Sequence, residues 1–244
     1  IIRVNSIEEL FNSAIMYAYQ PLPKGDRVAI VTNAGGPGVM ATDAAVRLGL
    51  KIPRFDPATT DRLRESLPAT ANMKNPVDVI GDARADRYTA ALGAVLDDPN
   101  VDQALVILTP QSMTDIESIA KGVCAIHCSA AKPIACSFMG ASDVQSGIDL
   151  LQHDHIPHYL LPEWACSAMA DVQRVCHWRR QPLDQIERVP VDEEAARAVI
   201  DAAPPGYLPE NDALAVLRAY GLPIPQFKLC HTADEAVAFA EEIG

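Results

Sequence analysis

Apolar positions along this chain follow two patterns, short continuous runs and longer stretches with helical spacing. The continuous runs are rich in β-branched residues, which favours buried parallel strands. The clearest predicted strands are 28–31, 104–108 and 133–138, with two shorter ones near 50–52 and 155–159. Helices are predicted between them at about 6–19, 57–66, 86–96, 114–129, 142–151 and 162–179, and a strand–turn–helix unit covers about 26–48. The segment 68–81 is predicted to be a loop.

Polar residues at the ends of these stretches support the predicted helix boundaries. Ser6 with Glu9 has the spacing of a capping box, in which side chain and backbone groups satisfy each other at a helix start. Thr114 is the predicted N-cap of the helix over 114–129. Gly49 is the predicted C-cap of the helix that ends near residue 48.

Strands that alternate with helices predict an α/β fold with a parallel sheet and helices on both faces, joined by right-handed crossovers. The unit from 22 to 180 is therefore expected to be flavodoxin-like or Rossmann-like. Ligands of such sheets bind at the carboxyl ends of the strands. Three loops are expected at that edge, over residues 33–38, 109–115 and 138–141.

The last quarter of the chain has a different character. Residues 181–207 are rich in charge and proline, and are predicted to be a linker with one helix near 192–202. Two more helices, over 208–220 and 232–243, form a helical C-terminal extension that is too small for a core of its own. Because the chain starts with Ile1 rather than Met and stops at Gly244 after a helical run, we expect a piece of a longer polypeptide.

Composition narrows the class of protein. The chain has 244 residues, of which 49% are hydrophobic and 5% aromatic, so an aliphatic core is expected. The formal charge of −12 disfavours nucleic acids and anionic membranes as partners, since phosphate backbones require basic patches. Six cysteines without a C-x-x-C pair indicate a reduced, cytoplasmic setting rather than a disulfide framework.

The strongest chemical signal lies between the first strand and its helix. Gly35 and Gly36 can take positive φ and let another group approach the backbone. Pro37 suits a first helical turn, and the N–H groups there with the helix dipole form an anion site. Since the spacing fits neither the dinucleotide fingerprint nor a Walker loop, a turn that only packs its helix tightly is the alternative.

Three histidines, His153, His155 and His158, lie close together in sequence. A metal site is one interpretation, because imidazole is a common ligand. Packing or surface exposure is the favoured one, since His155 and His158 would point to different faces of a short strand. We therefore predict no metal site.

Four motifs together resemble one known family. They are PKGDRVAIVTNAGGPG at 23–38, NPVDVIGD at 75–82, LTPQSMTD at 108–115 and YGLPIP at 220–225. The combination is similar to the ligase domain of NDP-forming (ADP-forming) acyl-CoA synthetases, which belong to the succinyl-CoA synthetase superfamily. The resemblance implies residues 1–21 as the end of a preceding domain or a linker helix, 22–180 as a flavodoxin-like CoA-ligase domain, 181–207 as a linker and 208–244 as the start of an ATP-grasp domain.

The resemblance also implies a function and its site. The family makes acyl-CoA from an acid, CoA and ATP with Mg²⁺, through a phosphohistidine that moves between two sites. The implied phosphate-binding residues are Asn33, Ala34, Gly35, Gly36, Gly38 and Val39, supported by Asn75, Asp78, Asp82 and Gln111. The phosphohistidine would lie upstream on a CoA-binding domain, so no catalytic residue and no tightly bound cofactor are expected here.

Other functions stay open at this point. A synthetase-like region can be the regulatory part of a protein lysine acetyltransferase. A flavodoxin-like sheet can also be a nucleotide- or flavin-binding module, although no aromatic residue that could stack on a flavin is evident near the loops. The expected partners are the other two domains of the full-length protein, and a homo-oligomer is left open.

Overall fold

The computed structural model describes residues 1–140, 142–182 and 189–244. The chain divides into two compact units, residues 1–182 and 183–244. The predicted loop residue Ala141 and part of the predicted linker, 183–188, lie outside the described residues.

A four-stranded parallel sheet forms the centre of the first unit. Its strands are β1 (Val28–Thr32), β2 (Val77–Asp78), β3 (Gln103–Leu108) and β4 (Ile134–Phe138). The strand order is β2-β1-β3-β4, and every pairing is parallel. β1 pairs with β2 on one side and with β3 on the other, so the order reverses between β1 and β3. In open α/β sheets this switch point is where a crevice forms at the carboxyl edge.

Helices cover both faces of the sheet, as the alternating pattern predicts. One face carries α1 (Ile7–Tyr19), α2 (Gly35–Arg47) and α7 (Pro162–Arg180), which share an apolar cluster with β1, β3 and β4. The other face carries α3 (Pro57–Ser66), α4 (Ala85–Asp97), α5 (Ile116–His127) and α6 (Gln145–His153), with a 3₁₀ turn over Ser142–Val144 before α6. The predicted fold class is thus confirmed.

The described part of the second unit, residues 189–244, contains the helices α8 (Glu193–Ala202), α9 (Glu210–Ala219) and α10 (Ala233–Ile243). α8 packs against α9, and the Asp192 N–H donates to the Ala219 carbonyl at 2.9 Å. Among the described residues of this unit, Ala196 alone is buried. Across the described residues, none of the helices has the length and apolar content that crossing a bilayer requires.

Some sequence predictions are corrected by the structure. The strands expected near 50–52 and 155–159 are reduced to single parallel bridges, Arg27 with Lys51 and Cys136 with His158. The loop over 68–81 contains the short edge strand β2. The N-cap of α5 is Asp115, whose Oδ1 accepts from the Ser118 N–H at 3.1 Å, rather than Thr114.

Two helices near the expected domain boundaries make their contacts within these compact units. α1 belongs to the first unit. It packs on α7, with the Ser13 hydroxyl donating to Asp171 at 2.5 Å and Met16 only 1% exposed. The unit boundary lies after Pro182, and α8, expected in a linker, packs with α9 in the second unit.

Candidate functional site

The glycine-rich segment lies at the carboxyl end of β1 and forms the start of α2. The helix begins at Gly35, and its N-cap Ala34 is extended, with φ −144° and no capping side chain. Gly35 and Gly36 do not take the positive φ that glycine allows; they are helical and exposed in the first turn. Their value lies in leaving the backbone bare, since a Cβ on Gly36 would meet nothing within 4 Å.

Two N–H groups at this helix end have no hydrogen-bond partner among the described residues, those of Gly35 and Gly36. The Gly38 N–H donates to the Ala34 carbonyl at 3.3 Å, and Pro37 has no N–H. The Ala34 N–H donates to the Thr32 hydroxyl at 3.1 Å. Val39 is the fifth residue of the helix, so its N–H belongs to the intrahelical ladder. The free donors are therefore fewer than the predicted segment of six residues.

Asn33 connects the two strands that flank the switch point. Its Oδ1 accepts from the Thr109 N–H at 2.8 Å and from the Thr109 hydroxyl at 3.0 Å, and its Nδ2 donates to the Thr109 carbonyl at 2.8 Å. The Asn33 residue is only 3% exposed. Its carboxamide thus holds the loop after β1 to the loop after β3, and a ligand at the helix end would not meet it.

A buried tyrosine is hydrogen-bonded to β3 near the start of the loop that follows this strand. Tyr88 of α4 is fully buried, and its hydroxyl donates to the Ile107 carbonyl at 3.0 Å. Burial raises the pKa of Tyr88 well above its usual value; the Asp78 charge acts the same way, and the Asn33 backbone opposes it. Sequence reasoning missed this residue, whose one signal was a single aromatic side chain within a predicted amphipathic helix.

Gly38 has a packing function. A Cβ at this position would lie 3.0 Å from Thr32 Cγ2 and 3.6 Å from Pro76 Cβ. The missing side chain lets α2 lie close to the end of β1 and to the loop before β2. This is the role that a glycine takes where a helix approaches a strand closely.

The Asn75 side chain hydrogen-bonds to the backbone of β1 at positions where β2 does not pair with this strand. Its Oδ1 accepts from the Ile30 N–H at 3.0 Å, and its Nδ2 donates to the Val28 carbonyl at 2.8 Å and the Pro53 carbonyl at 3.3 Å. The peptide bond to Pro76 is cis. Asn75 therefore fixes the loop that packs against Gly38 and does not itself reach the helix end.

The other predicted supporting residues have local roles. Asp78 Oδ1 accepts from the Ile80 N–H at 2.9 Å, while a Cβ on Gly35 would lie 3.6 Å from Asp78 Oδ2, so this carboxylate flanks the start of α2. Asp82 pairs with Arg87 at 2.6 Å, and that hydrogen bond lowers the pKa of Asp82. The Gln111 N–H donates to the Thr114 hydroxyl, and its Cγ lies beside Gly81.

The three clustered histidines have separate environments. His153 pairs with Asp154 at 2.9 Å, the His155 ring stacks against Tyr19 at 4.8 Å, and His158 Nε2 lies 3.2 Å from the Phe138 carbonyl. Burial lowers the pKa of His158. The described residues contain no group of three or more His, Cys, Asp or Glu placed to hold a metal ion.

Exposed apolar side chains follow the carboxyl edge of the sheet. Val39 and Met40 lie in the first two turns of α2, Met113 lies in the loop after β3, and Leu160 and Leu161 precede α7. Each of the first four is at least half exposed. The first two turns of α2, which carry the two bare N–H groups, thus also expose apolar side chains.

Comparison with known proteins identifies relatives of this fold and sequence. A family model described as a Ligase-CoA domain matches residues 28–180. An acetate–CoA ligase (ADP-forming) I from Archaeoglobus fulgidus is 34% identical over 247 residues, which cover all of this chain and 35% of the relative. An acetate–CoA ligase (ADP-forming) II subunit alpha from Pyrococcus furiosus is 38% identical over 71% of this chain and 39% of that subunit.

A solved structure has the same architecture. It is a dinucleotide-forming acetyl-coenzyme A synthetase 1 from Ca. Korarchaeum cryptofilum, in complex with phosphate and ADP. The match has a TM-score of 0.67 and 28% sequence identity, and covers 74% of this chain and 40% of that one. This chain spans little more than a third of the length of the relatives it matches.

Proposed function

The chain belongs to the Ligase-CoA domain family, and from that premise we propose that it is part of an NDP-forming acyl-CoA synthetase. The complete enzyme would convert an acid, CoA and ATP into acyl-CoA, ADP and phosphate through a phosphohistidine. This chain would donate the N-terminus of α2 to the phosphohistidine. The names of the relatives, which are ADP-forming ligases, support the reaction.

The observation that carries the proposal is the pair of exposed N–H groups on Gly35 and Gly36, which have no partner among the described residues. They begin a 13-residue helix at the switch point of a parallel sheet. Unpaired N–H groups and the positive end of the helix dipole together attract a phosphoryl group. Gly36 leaves open space in front of them.

Energetics indicate that this helix end works with a second site. One helix dipole contributes at most about 2 kcal/mol. Hydrogen bonds to a charged group contribute about 1.5–3 kcal/mol each before ordering costs. Two such bonds therefore hold free phosphate at roughly millimolar strength. A phosphoryl group carried on a tethered histidine, and shared with a second helix end, overcomes that weakness.

The partners follow from this arrangement. We place the phosphohistidine on a CoA-binding domain of the full-length protein, and the ATP site with its Mg²⁺ on an ATP-grasp domain that residues 208–244 would begin. The apolar side chains of Val39, Met40 and Leu160 suit a surface that is covered when such a domain docks. The cytoplasm, where CoA and ATP are available, is the proposed location.

The test introduces a negative charge at the helix end of the full-length protein. Gly36→Asp should lower the rate of acyl-CoA formation from acetate, CoA and ATP at least tenfold, because repulsion replaces a dipole contribution of up to about 2 kcal/mol. Val46→Asp is the matched control, since it adds the same charge at the exposed opposite end of α2. Equal rates for the Gly36→Asp variant and the unaltered protein would contradict the proposal.

A further inference from the structure

A cavity that the proposed function does not use opens beside the amino-terminal half of β1. Its volume is about 740 Å³, within the range of small-molecule sites. Residues 52–55 line one side, residues 72–75 line the other, and α3 contributes Thr60 and Arg64. Asn75 hydrogen-bonds to Val28 and Ile30 of β1 from this loop, whereas α2 begins after the last residue of β1.

The charge of this cavity is opposite to that of the chain. Arg54, Arg64 and Lys74 line it, and none of the described residues that line it carries a carboxylate side chain. The whole chain has 32 acidic and 20 basic residues, so a lining with three cations and no acid is a local reversal. Within the described residues Arg64 pairs with Asp61, whereas Arg54 and Lys74 form no ion pair. Two cations are therefore available to an anionic group.

The same cavity has an apolar part. Phe55 and Met73 are half-buried, pack against the core on the α3–α4 face of the sheet, and present their remaining surface to the cavity. An inorganic anion would leave this surface exposed to water. A ligand with both an anionic group and an apolar or aromatic body would use the cations and cover the apolar surface together.

Hydrogen bonds hold the two walls in place. Asn75 Nδ2 donates to Val28 of β1 at 2.8 Å and to Pro53 of the opposite wall at 3.3 Å. Asn72 exchanges two backbone hydrogen bonds with Asp78, at 3.0 and 3.1 Å, and its Oδ1 accepts from the Lys74 N–H at 3.2 Å. The loop that carries Met73 and Lys74 is thus fixed before a ligand arrives, which lowers the entropic cost of binding.

We propose that this cavity binds an organic phosphate, a small molecule with a phosphate or pyrophosphate group on an aromatic or apolar body. The phosphate would lie between Arg54 and Lys74. The body would lie on Phe55 and Met73. The proposed ligand contacts, at Arg54, Phe55, Met73 and Lys74, are distinct from Gly35 and Gly36, which carry the proposed function.

Methionine methyl NMR can locate binding within the 244-residue chain. Met73 lines the cavity, Met40 lies in α2 near the glycines, and Met16 and Met169 are buried in the core. Titration with ADP should shift the Met73 methyl signal saturably and leave Met16 and Met169 in place. Adenosine, which lacks the phosphates, and inorganic pyrophosphate, which lacks the body, should each bind at least tenfold more weakly than ADP.

Charge variants distinguish ADP binding in this cavity from nonspecific electrostatic attraction of ADP to the chain. Arg54→Gln with Lys74→Gln should weaken ADP binding at Met73 at least tenfold. Lys24→Gln with Arg47→Gln removes the same charge from exposed positions outside the cavity and should leave binding unchanged. An equal loss in both double variants would overturn the proposal.

The remaining outcomes also decide the question. A Met73 signal that does not move with ADP, or pyrophosphate that binds as tightly as ADP, would refute the organic-phosphate site. A shift of Met40 alone would place the phosphate at α2, which would support the proposed function and contradict this inference. A shift of Met73 alone supports this inference and leaves the proposed function to its own test.

Discussion

Alanine substitution at Gly36 and at Gly38 of α2 should change the stability of the protein in opposite directions. A Cβ on Gly36 meets nothing, so Gly36→Ala should raise the free energy of unfolding by about 0.5–1 kcal/mol, through helix propensity and a less flexible unfolded chain. A Cβ on Gly38 meets Thr32 Cγ2 at 3.0 Å. Thr32 cannot yield easily, because its hydroxyl donates to the Ala34 carbonyl and accepts from its N–H.

Gly38→Ala should therefore lower the free energy of unfolding by about 1–3 kcal/mol, despite the gain in helix propensity. Urea unfolding of the two variants beside the unaltered chain measures both changes. Opposite signs are expected, and Gly38→Ala as stable as Gly36→Ala would refute the close-packing role of Gly38.

We expect the charge of Asp78 to limit the affinity of the helix end for a free anion. Its Oδ2 lies beside Gly35, so its negative charge opposes a phosphate there while Oδ1 holds the Ile80 N–H. Asp78→Asn keeps an oxygen for that hydrogen bond and removes the charge. We expect this variant to bind phosphate several-fold more tightly than the unaltered chain, whose affinity should be roughly millimolar or weaker. The phosphate concentration that half-shifts the Met40 methyl signal measures both affinities.

Asp82→Asn is the control for this prediction, because its carboxylate pairs with Arg87 and is exposed. The control should leave the phosphate titration unchanged. Micromolar phosphate binding by the unaltered chain would contradict the idea that this helix end needs a second site.

At the scale of elements, one ion pair joins the start of β1 to the start of β3. Arg27 Nε and Nη2 donate to Asp102 at 2.8 and 2.9 Å, and the Arg27 N–H donates to the same carboxylate at 3.1 Å. Burial alone raises the pKa of Asp102, but the hydrogen bonds and charge of Arg27, with help from Lys132, outweigh it and lower that pKa. The carboxylate therefore stabilises the fold when it is ionised.

The sign of the pH dependence follows. A pKa that is lower in the folded state contributes stability above the unfolded value of about 3.9, and this stability is lost as the pH falls through the folded pKa. Asp102→Asn should cost about 1–2 kcal/mol at pH 7, and the difference from the unaltered chain should shrink below about pH 4. Urea midpoints measured from pH 7 to pH 3 check this; a difference that stays constant with pH would contradict it.

Sequence predicted long elements better than short ones, for physical reasons. Helical spacing of apolar residues extends over α5, and continuous apolar runs extend over the fully buried strands β1, β3 and β4, so each was placed within a few residues. β2 has only two residues and relies on tertiary pairing, which leaves no pattern. The segments 50–52 and 155–159 have strand-like composition, but each makes one bridge rather than a ladder.

In the candidate site too, sequence predicted the local features and missed those that depend on distant contacts. The glycine pair and its position after β1 were readable, because glycine and proline mark helix starts. The role of Asn33 was not, since its partner Thr109 lies 76 residues away. Tyr88 was missed for the same reason, because only the folded chain brings its hydroxyl to the Ile107 carbonyl.

At the scale of the whole molecule, the two units differ in how much apolar surface they bury. Every residue of β1, β3 and β4 is buried, whereas Ala196 is the only buried residue among those described in the second unit. α9 and α10 contain no buried residue. Stability in proteins is not uniform, and elements with few buried contacts open at little cost.

Hydrogen exchange should therefore divide the chain at its unit boundary. An isolated helix of 11 residues is marginal in water even with a good cap, so the α10 amides should exchange within seconds to minutes although Thr232 accepts from the Glu235 N–H. α8 contacts α9 and buries Ala196, so it should be somewhat slower. The three buried strands should exchange only through global unfolding. If residues 208–244 begin an ATP-grasp domain, the same α10 amides should become protected in the full-length protein. Equal exchange in both proteins would count against that assignment. Protection of these amides for hours in the 244-residue chain would refute the view that the second unit lacks a core.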